Sequence, residues 1–298
     1  MESRMTTLLD RAVALMDEAG IPQGGLAHAE SGMHFLRFDA PSPQQATVYR
    51  PLLCLVLQGA KQVSAGAHSL TVAAGQSLLV SHALPVVSRI SHATPEAPYV
   101  ALVFPLDLDV LRGLAPAVPP APGTRGRDPF SITLCPTDPA MEDALIRYLD
   151  QCANRETRQL LAPITREEIH ARLLLGPQTE ALQKLLWHET TASRIFQATR
   201  EIQSDLSRTV VVGELADRVG MSTSAFFEHF KAVTGTSPLQ YQKDLRLLHA
   251  RDALRGSSAK VSQIAFRVGY ESSAQFSREY ARKFGLSPRQ DRAALAAE

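Results

Sequence analysis

Val212–Pro238 reads VGELADRVGMSTSAFFEHFKAVTGTSP, and the same layout returns at Val261–Pro288 as VSQIAFRVGYESSAQFSREYARKFGLSP. In each copy a short helix with apolar residues at helical spacing (Leu215, Ala216 and Val219; Ile264, Ala265 and Val268) stops at a glycine, Gly220 or Gly269. A second helix follows with one apolar stripe, Phe226, Phe230 and Val233 in the first copy and Phe276, Tyr280 and Phe284 in the second. One face of that helix is committed to a core, and the opposite face is free for a partner. Ser222 and Ser272 stand where an N-cap belongs, and Ser272 to Gln275 has the form of a capping box. Gly235 and Gly285 suit the left-handed position after a helix, and the Ser-Pro pairs ending at Pro238 and Pro288 forbid its continuation. The spacing therefore predicts two helix-turn-helix units, at about 212–233 and 261–284.

Between them, Leu239–Leu254 contains no proline or glycine and places Tyr241, Leu245 and Leu248 where a helix can bury them. At 1.5 Å per residue such a helix spans ~24 Å. It can hold two recognition helices about one DNA turn apart, near the ~34 Å that puts both in successive major grooves. Charge agrees with that placement. The net charge of the 298 residues is +1, but residues 1–193 carry 15 basic and 19 acidic side chains, whereas 194–298 carry 16 basic and 11 acidic. The basic excess falls on the half that has to meet phosphates.

Upstream the texture changes. The N-terminal MESRMTTLLDRAVALMDEAG mixes charges with apolar residues at helical spacing and reads as a helix, not a signal peptide. From about 34 to 135, short runs such as VYRPLLCLVLQG, HSLTVAAG, QSLLV and PYVALVF alternate with turn residues, the pattern of a small β-sandwich or barrel. Leu52 to Leu57 is unbroken apolar, which predicts a strand buried on both faces. Gly113 to Pro129 holds five prolines and three glycines and is expected to be a loop. Helices are expected over about 139–175, with Met141, Leu145, Tyr148, Leu149 and Cys152 forming a stripe that suits either the chain's own barrel or the same helix of a second subunit. The joint between halves falls between Gly176 and Thr191. No apolar run approaches the ~20 residues of a membrane span, so the expected location is the cytoplasm.

At these residues the chain resembles the AraC-type family of bacterial transcriptional regulators. LADRVGMS, AFFEHFKAVTGTSPLQY, RLLHARDAL and IAFRVGYESSAQFSREYARKFGLSP carry the likeness in the last hundred residues, and YRPLLCLVLQGAKQV, SLLVSHALPVVSRIS, PYVALVFPLDLDVL and ITREEIHARLLLGP carry it upstream. The resemblance implies an α+β multidomain chain: a cupin-like effector and helical dimerisation domain over 1–178, and an all-α DNA-binding domain over 192–298 whose two helix-turn-helix units are joined by a long helix. It implies double-stranded DNA, a small-molecule effector, RNA polymerase for an activator, and a second copy of the chain as partners. The family's base-reading positions fall on Thr223, Ser224, Phe227 and Glu228 with Lys231 near a phosphate, and on Ser273, Gln275, Ser277 and Arg278, with Arg282 completing the DNA-facing set. Phe227 and Glu228 depart from the polar donors usual there. They fit a thymine methyl and a cytosine N4, or else mark a first unit that discriminates weakly.

Rival readings are open to a residue-level test. His28, His34, His68, His82 and His92 raise a metal-dependent cupin enzyme with a regulatory DNA-binding tail, but no H-x-H is present and no catalytic constellation stands out, so the chain is expected to be neither an enzyme nor dependent on a metal or cofactor. The odd count of Cys54, Cys135 and Cys152 argues against a disulfide framework and a zinc site. Cys54, Val56 and Tyr99 are the candidates for lining an effector pocket, and Cys54 is either an inert small hydrophobe or a redox sensor.

Overall fold

The computed structural model describes residues 4–119, 130–186 and 190–295. Helix α1 (Arg4–Glu18) comes first and buries Leu8, Ala12 and Met16, one residue per turn along one face. Nine strands follow: β1 (Gly24–His28), β2 (Met33–Phe38), β3 (Gln45–Tyr49), β4 (Leu52–Gln58), β5 (Ala60–Ala65), β6 (His68–Ala73), β7 (Gln76–Val80), β8 (Leu84–His92) and β9 (Tyr99–Pro105). After α2 (Leu108–Leu114) and a 3₁₀ turn at Ala115–Ala117, β10 (Ile132–Pro136) completes two antiparallel sheets, β1-β2-β9-β4-β7-β10 and β3-β8-β5-β6.

Strand β4 shows why its sequence is apolar without alternation. Leu53, Leu55 and Leu57 face the helices on the outside of the larger sheet, while Cys54 and Val56 face inward. That outer layer is α1 together with α3 (Pro139–Ala153), α4 (Arg155–Leu160), α5 (Ala162–Leu175) and α6 (Thr179–Leu186). The α3 stripe of Met141, Leu145, Tyr148, Leu149 and Cys152 packs into this same core, and Tyr148 Oη donates to the Ser31 carbonyl at 2.8 Å. Of its two possible uses, the barrel-facing one is realised. Exposed apolar side chains lie instead on α4 and α5, at Leu160, Ile164 and Leu175.

The loop expected from Gly113 to Pro129 begins later than its composition suggests. Gly113 and Leu114 end α2 and Pro116 sits inside the 3₁₀ turn, where a missing N–H costs nothing; Pro120 to Pro129 lie outside the described residues. Two helices escape periodicity altogether. Asp107 caps α2 by accepting from the Asp109 and Val110 amides, and Asn154 caps the polar α4 by accepting from the Glu156 amide at 2.8 Å.

The C-terminal half is helical throughout: α7 (Thr191–Ser204), α8 (Val212–Arg218), α9 (Thr223–Thr234), α10 (Pro238–Gly256), α11 (Val261–Arg267), α12 (Ser273–Phe284) and α13 (Pro288–Leu295). Its apolar residues divide in an unexpected place. Leu215, Phe226, Phe230, Val233, Tyr241 and Leu245 belong to one continuous core with the inner face of the sandwich, including Val63, Ala65, Leu84 and Tyr99. Ile264, Val268, Tyr270, Phe276 and Tyr280 form a separate core with Leu247, Ala250 and Leu254 of α10.

Candidate nucleic-acid interface

Each recognition helix is built the same way. Ser222 Oγ accepts from the Ala225 amide and Ser272 Oγ from the Gln275 amide, both at 3.3 Å, and Gly235 (φ 78°) and Gly285 (φ 76°) close the helices in the left-handed conformation. The expected capping box at Ser272 is only half made. The Gln275 side chain turns away and donates to Glu279 Oε1 at 3.2 Å, because Glu279 already gathers Tyr270 Oη and Lys243 Nζ at 2.9 and 3.1 Å. Burial works against ionisation of Glu279, yet these hydrogen bonds hold its carboxyl below the usual carboxylate range.

On α9 the free face carries Thr223, Ser224, Phe227, Glu228 and Lys231, all exposed, with Phe227 at 45%. A large apolar ring left that open on a helix whose other two phenylalanines are fully buried is spare contact surface. On α12, Gln275, Arg278 and Arg282 are exposed, whereas Ser273 and Ser277 are half-buried and the Ser277 hydroxyl donates to the Ser273 carbonyl at 2.8 Å. Arg278 and Arg282 make no ion pair among the described residues, so the second unit presents two uncommitted guanidinium groups. Beside them opens a groove of about 560 Å³ lined by Lys260, Ser273, Ser277 and Arg289, with the starts of α11, α12 and α13 around it. Lys260 and Arg289 add cationic charge beside the positive ends of these helices, an arrangement suited to phosphate. Their signal in the sequence was the Ser-Pro-Arg that starts α13, legible only as a helix stop until the fold places it beside α12.

Support from behind differs between the units. The C-terminal end of α9 is capped by the sandwich: the Ser131 N–H and Oγ–H both donate to the Val233 carbonyl, at 3.0 and 2.6 Å, satisfying one of the acceptors that a helix leaves open. Gly66 and Gly235 meet so closely that a Cβ on Gly66 would stand 1.9 Å from the Gly235 carbonyl oxygen. Tyr241 Oη donates to the Ala83 carbonyl at 2.6 Å and accepts from Gln203 at 2.7 Å. His82, wholly buried, lies 3.3 Å through Nε2 from the Ala192 carbonyl and edge-on to Phe196; burial pushes its pKa down to about 4, against the opposing pull of that carbonyl. The second unit instead is held to α10 by ion pairs, Lys243 with Glu279 and Lys283 with Asp244, while Arg251 reaches the buried Asp291 at 2.8 Å and Tyr280 Oη donates to the same carboxylate at 2.6 Å.

The candidate effector residues Cys54, Val56 and Tyr99 do come together on the inner face of the sandwich, each at most 1% exposed. What sequence reading missed there is Lys61. Its ammonium, 5% exposed, lies 3.1 Å from Cys54 Sγ and 3.4 Å from Tyr49 Oη. The histidines are dispersed: His28 bonds Ser31 Oγ at 2.8 Å, His68 stacks on Phe130, and His82 belongs to the seam.

Comparison with known proteins reaches both halves. Residues 29–181 match the AraC-type transcriptional regulator N-terminus family and residues 215–294 a helix-turn-helix domain family. The transcriptional activator RhaS of Escherichia coli O1:K1 is 32% identical over 145 residues, covering 49% of this chain and 51% of RhaS. The RhaS of strain HS is 34% identical over 125 residues, 42% of this chain and 44% of that one. The chain thus matches about half the length of these curated relatives. Among solved structures, an apo ToxT variant from Vibrio cholerae superposes over 88% of this chain and 97% of its own with a TM-score of 0.56 at 11% identity. A ToxT structure with unsaturated fatty acid bound does so over 87% and 94%, with a TM-score of 0.51 at 10% identity. At such identity the likeness is one of fold.

Proposed function

The chain belongs to the AraC-type transcriptional regulators, and on that footing we propose that it binds double-stranded DNA through both helix-turn-helix units and changes its hold on DNA when a small molecule acts on the N-terminal half. The observation that carries this reading is the pairing of two exposed, uncommitted recognition faces on α9 and α12 with a sandwich whose core continues into the first unit. Thr223, Ser224, Phe227 and Glu228 are the base-reading set of the first unit and Gln275, Arg278 and Arg282 that of the second; Lys231, Lys260 and Arg289 serve phosphates.

Regulation follows by linkage. A ligand that favours one seating of the first unit on the sandwich alters DNA affinity by no more than its own preference between the two seatings. That a ToxT structure of the same fold holds an unsaturated fatty acid supports a ligand-responsive N-terminal half. RhaS, a relative by sequence, is an activator, which favours activation and a contact with RNA polymerase. No described helix is long and apolar enough to cross a membrane, and chromosomal DNA places the protein in the cytoplasm. Homodimerisation falls to the exposed Leu160, Ile164 and Leu175 face, because the α3 stripe is spent inside the chain.

Footprinting on the DNA flanking the protein's own gene, followed by titration of the protected site, tests the reading. Arg278→Ala is expected to weaken that site by roughly 1–3 kcal/mol and to relax preference at one base. Unchanged affinity and unchanged preference would remove Arg278 from the interface.

A further inference from the structure

Lys61 stands on β5 of the smaller sheet and Cys54 on β4 of the larger, and both are buried inside the sandwich, at 5% and 0% exposure. A buried ammonium is unfavourable unless an opposite charge meets it. The acidic groups around this one are the Cys54 sulfur, which accepts from Nζ at 3.1 Å, the Tyr49 hydroxyl at 3.4 Å and the Tyr99 phenol, none of them a carboxylate. Burial works against the Lys61 ammonium, yet the Cys54 sulfur, followed by the Tyr99 and Tyr49 phenols, holds its pKa well above the usual lysine range. A cation so close favours the thiolate, the form of cysteine that attacks oxidants. Tyr99, 1% exposed, has a hydroxyl with no hydrogen-bond partner among the described residues. It leaves bonding capacity beside the sulfur for one small polar molecule.

No second thiol can reach Cys54. Cys135 lies two strands away on β10, and it stands one residue out of step with Leu134, which is aligned with Cys54 through Leu78, so it points to the other face of the sheet. Cys152 belongs to the outer core, with α3. An oxidised Cys54 therefore has the Lys61 nitrogen as its nearest nucleophile.

We propose that Cys54 and Lys61 are a peroxide-driven crosslinking site, at which a sulfenamide bond between Sγ and Nζ joins the two sheets of the sandwich. The thiolate attacks one oxygen of hydrogen peroxide, the O–O bond breaks, and the departing hydroxide takes a proton from the Lys61 ammonium to become water. Sulfur is oxidised to a sulfenic acid and the peroxide is reduced. Lys61 is now a neutral amine, and its lone pair attacks the sulfur. The S–O bond breaks, and the hydroxide that leaves takes a proton from the nitrogen. In sum, thiolate, ammonium and hydrogen peroxide give a sulfenamide and two waters. Full burial selects a small oxidant admitted by local opening and shuts out glutathione. The bond spans the Gly59 turn between β4 and β5, two strands that line the core continuing into the first helix-turn-helix unit. The crosslink stands on the geometry of the pair; its effect on DNA binding rests on the ligand-responsive reading above.

Peptide mapping by mass spectrometry tests the proposal on the full chain, treated with hydrogen peroxide, then unfolded, alkylated and cut with trypsin. Expected is the joint loss of alkylation at Cys54 and of cleavage after Lys61, with one longer peptide that contains both residues and is two hydrogens lighter than its unalkylated form. Dithiothreitol added after unfolding restores both. Cys135→Ser and Cys152→Ser keep the product, and Lys61→Arg and Lys61→Met abolish it, with circular dichroism to show that each variant is folded. The parent chain alone decides the matter if a variant fails to fold. The proposal is overturned if Cys54 stays alkylatable while glutathione in the same solution is oxidised, if Cys54 is oxidised while Lys61 is still cut, or if the joined peptide has gained an oxygen, which marks an N–O–S bridge. DNA affinity of the crosslinked chain separates the two claims: a crosslink that leaves it unchanged upholds the site and removes its coupling to DNA binding.

Discussion

The two helix-turn-helix units repeat one layout, from the serine N-cap of the recognition helix to the left-handed glycine after it, yet they stand on different supports. The first completes the inner core of the sandwich, has the end of α9 capped by Ser131, and lets Gly235 lie against Ala65 and Gly66. The second has its own small core and is bolted to α10 by Lys243–Glu279, Lys283–Asp244 and Arg251–Asp291. A repeated motif therefore does not imply repeated mechanics. Any change in the sandwich is felt at the first unit directly, and at the second through α10 and through the Ser207 backbone that lies against Gly269. The exposed Phe227 and Glu228 fall on the coupled unit, and Arg278 and Arg282 fall on the one with its own core.

The comparison can be broken most forcefully at the aromatic cores. Phe230→Ala and Phe276→Ala each remove a fully buried ring, and each is expected to cost roughly 3–5 kcal/mol in denaturant titration. Hydrogen exchange tells them apart: Phe230→Ala lowers protection in β5 and β10 as well as in α8 and α9, whereas Phe276→Ala lowers it only in α11 to α13 and the part of α10 that carries Leu247, Ala250 and Leu254. Equal spread of damage from both would contradict separate cores.

Acid should loosen the first unit before the second. His82 has its pKa depressed to about 4 by burial in the seam, against about 6.5 for a solvated imidazole, so the folded form binds fewer protons than the unfolded chain. Stability from this site is fully present above pH 6.5 and is lost as pH falls towards 4, up to roughly 3 kcal/mol by the protonation linkage. His82→Gln is expected to flatten the stability profile across that window, and a profile identical to the parent's would remove His82 from the seam's energetics.

A smaller and cleaner contrast comes from the two closing glycines. Both have φ near +77°, being 78° and 76°, so alanine at either meets the same left-handed penalty of about 1–2 kcal/mol. At Gly285 an added Cβ meets nothing within 4 Å, whereas at Gly235 it would stand 2.6 Å from the Ala65 carbonyl oxygen. Thermal or denaturant unfolding should therefore show Gly235→Ala as the costlier substitution, by about 1 kcal/mol or more. Equal costs would mean that the Ala65–Gly235 contact yields without resistance.

Sequence legibility follows the same division. The helices of the C-terminal half could be read because their apolar spacing, serine caps and closing glycines are local and agree with one another. The two-faced burial of β4 was legible from the unbroken Leu52–Leu57 run. The seam was not, because Gly66 reads as an ordinary turn glycine, Gly235 as an ordinary helix-closing one, and Phe226, Phe230 and Val233 equally well as packing within their own unit. Nothing local tells a stripe that covers one neighbour from a stripe that covers two. Lys61 was hidden for a related reason, since nothing local tells which face of its strand a lysine takes until the sheet turns it inward.

Coupling between the sandwich and the first unit is the central claim, and Gly66→Ala tests it from the far side of the seam. Gly66 lies in the β5–β6 turn, where an added Cβ would stand 1.9 Å from the Gly235 carbonyl oxygen. In native-state hydrogen exchange of the full chain, the account predicts faster exchange throughout α9 and the first turns of α10, with α12 unchanged. An unaltered α9, or equal acceleration of α9 and α12, would contradict it.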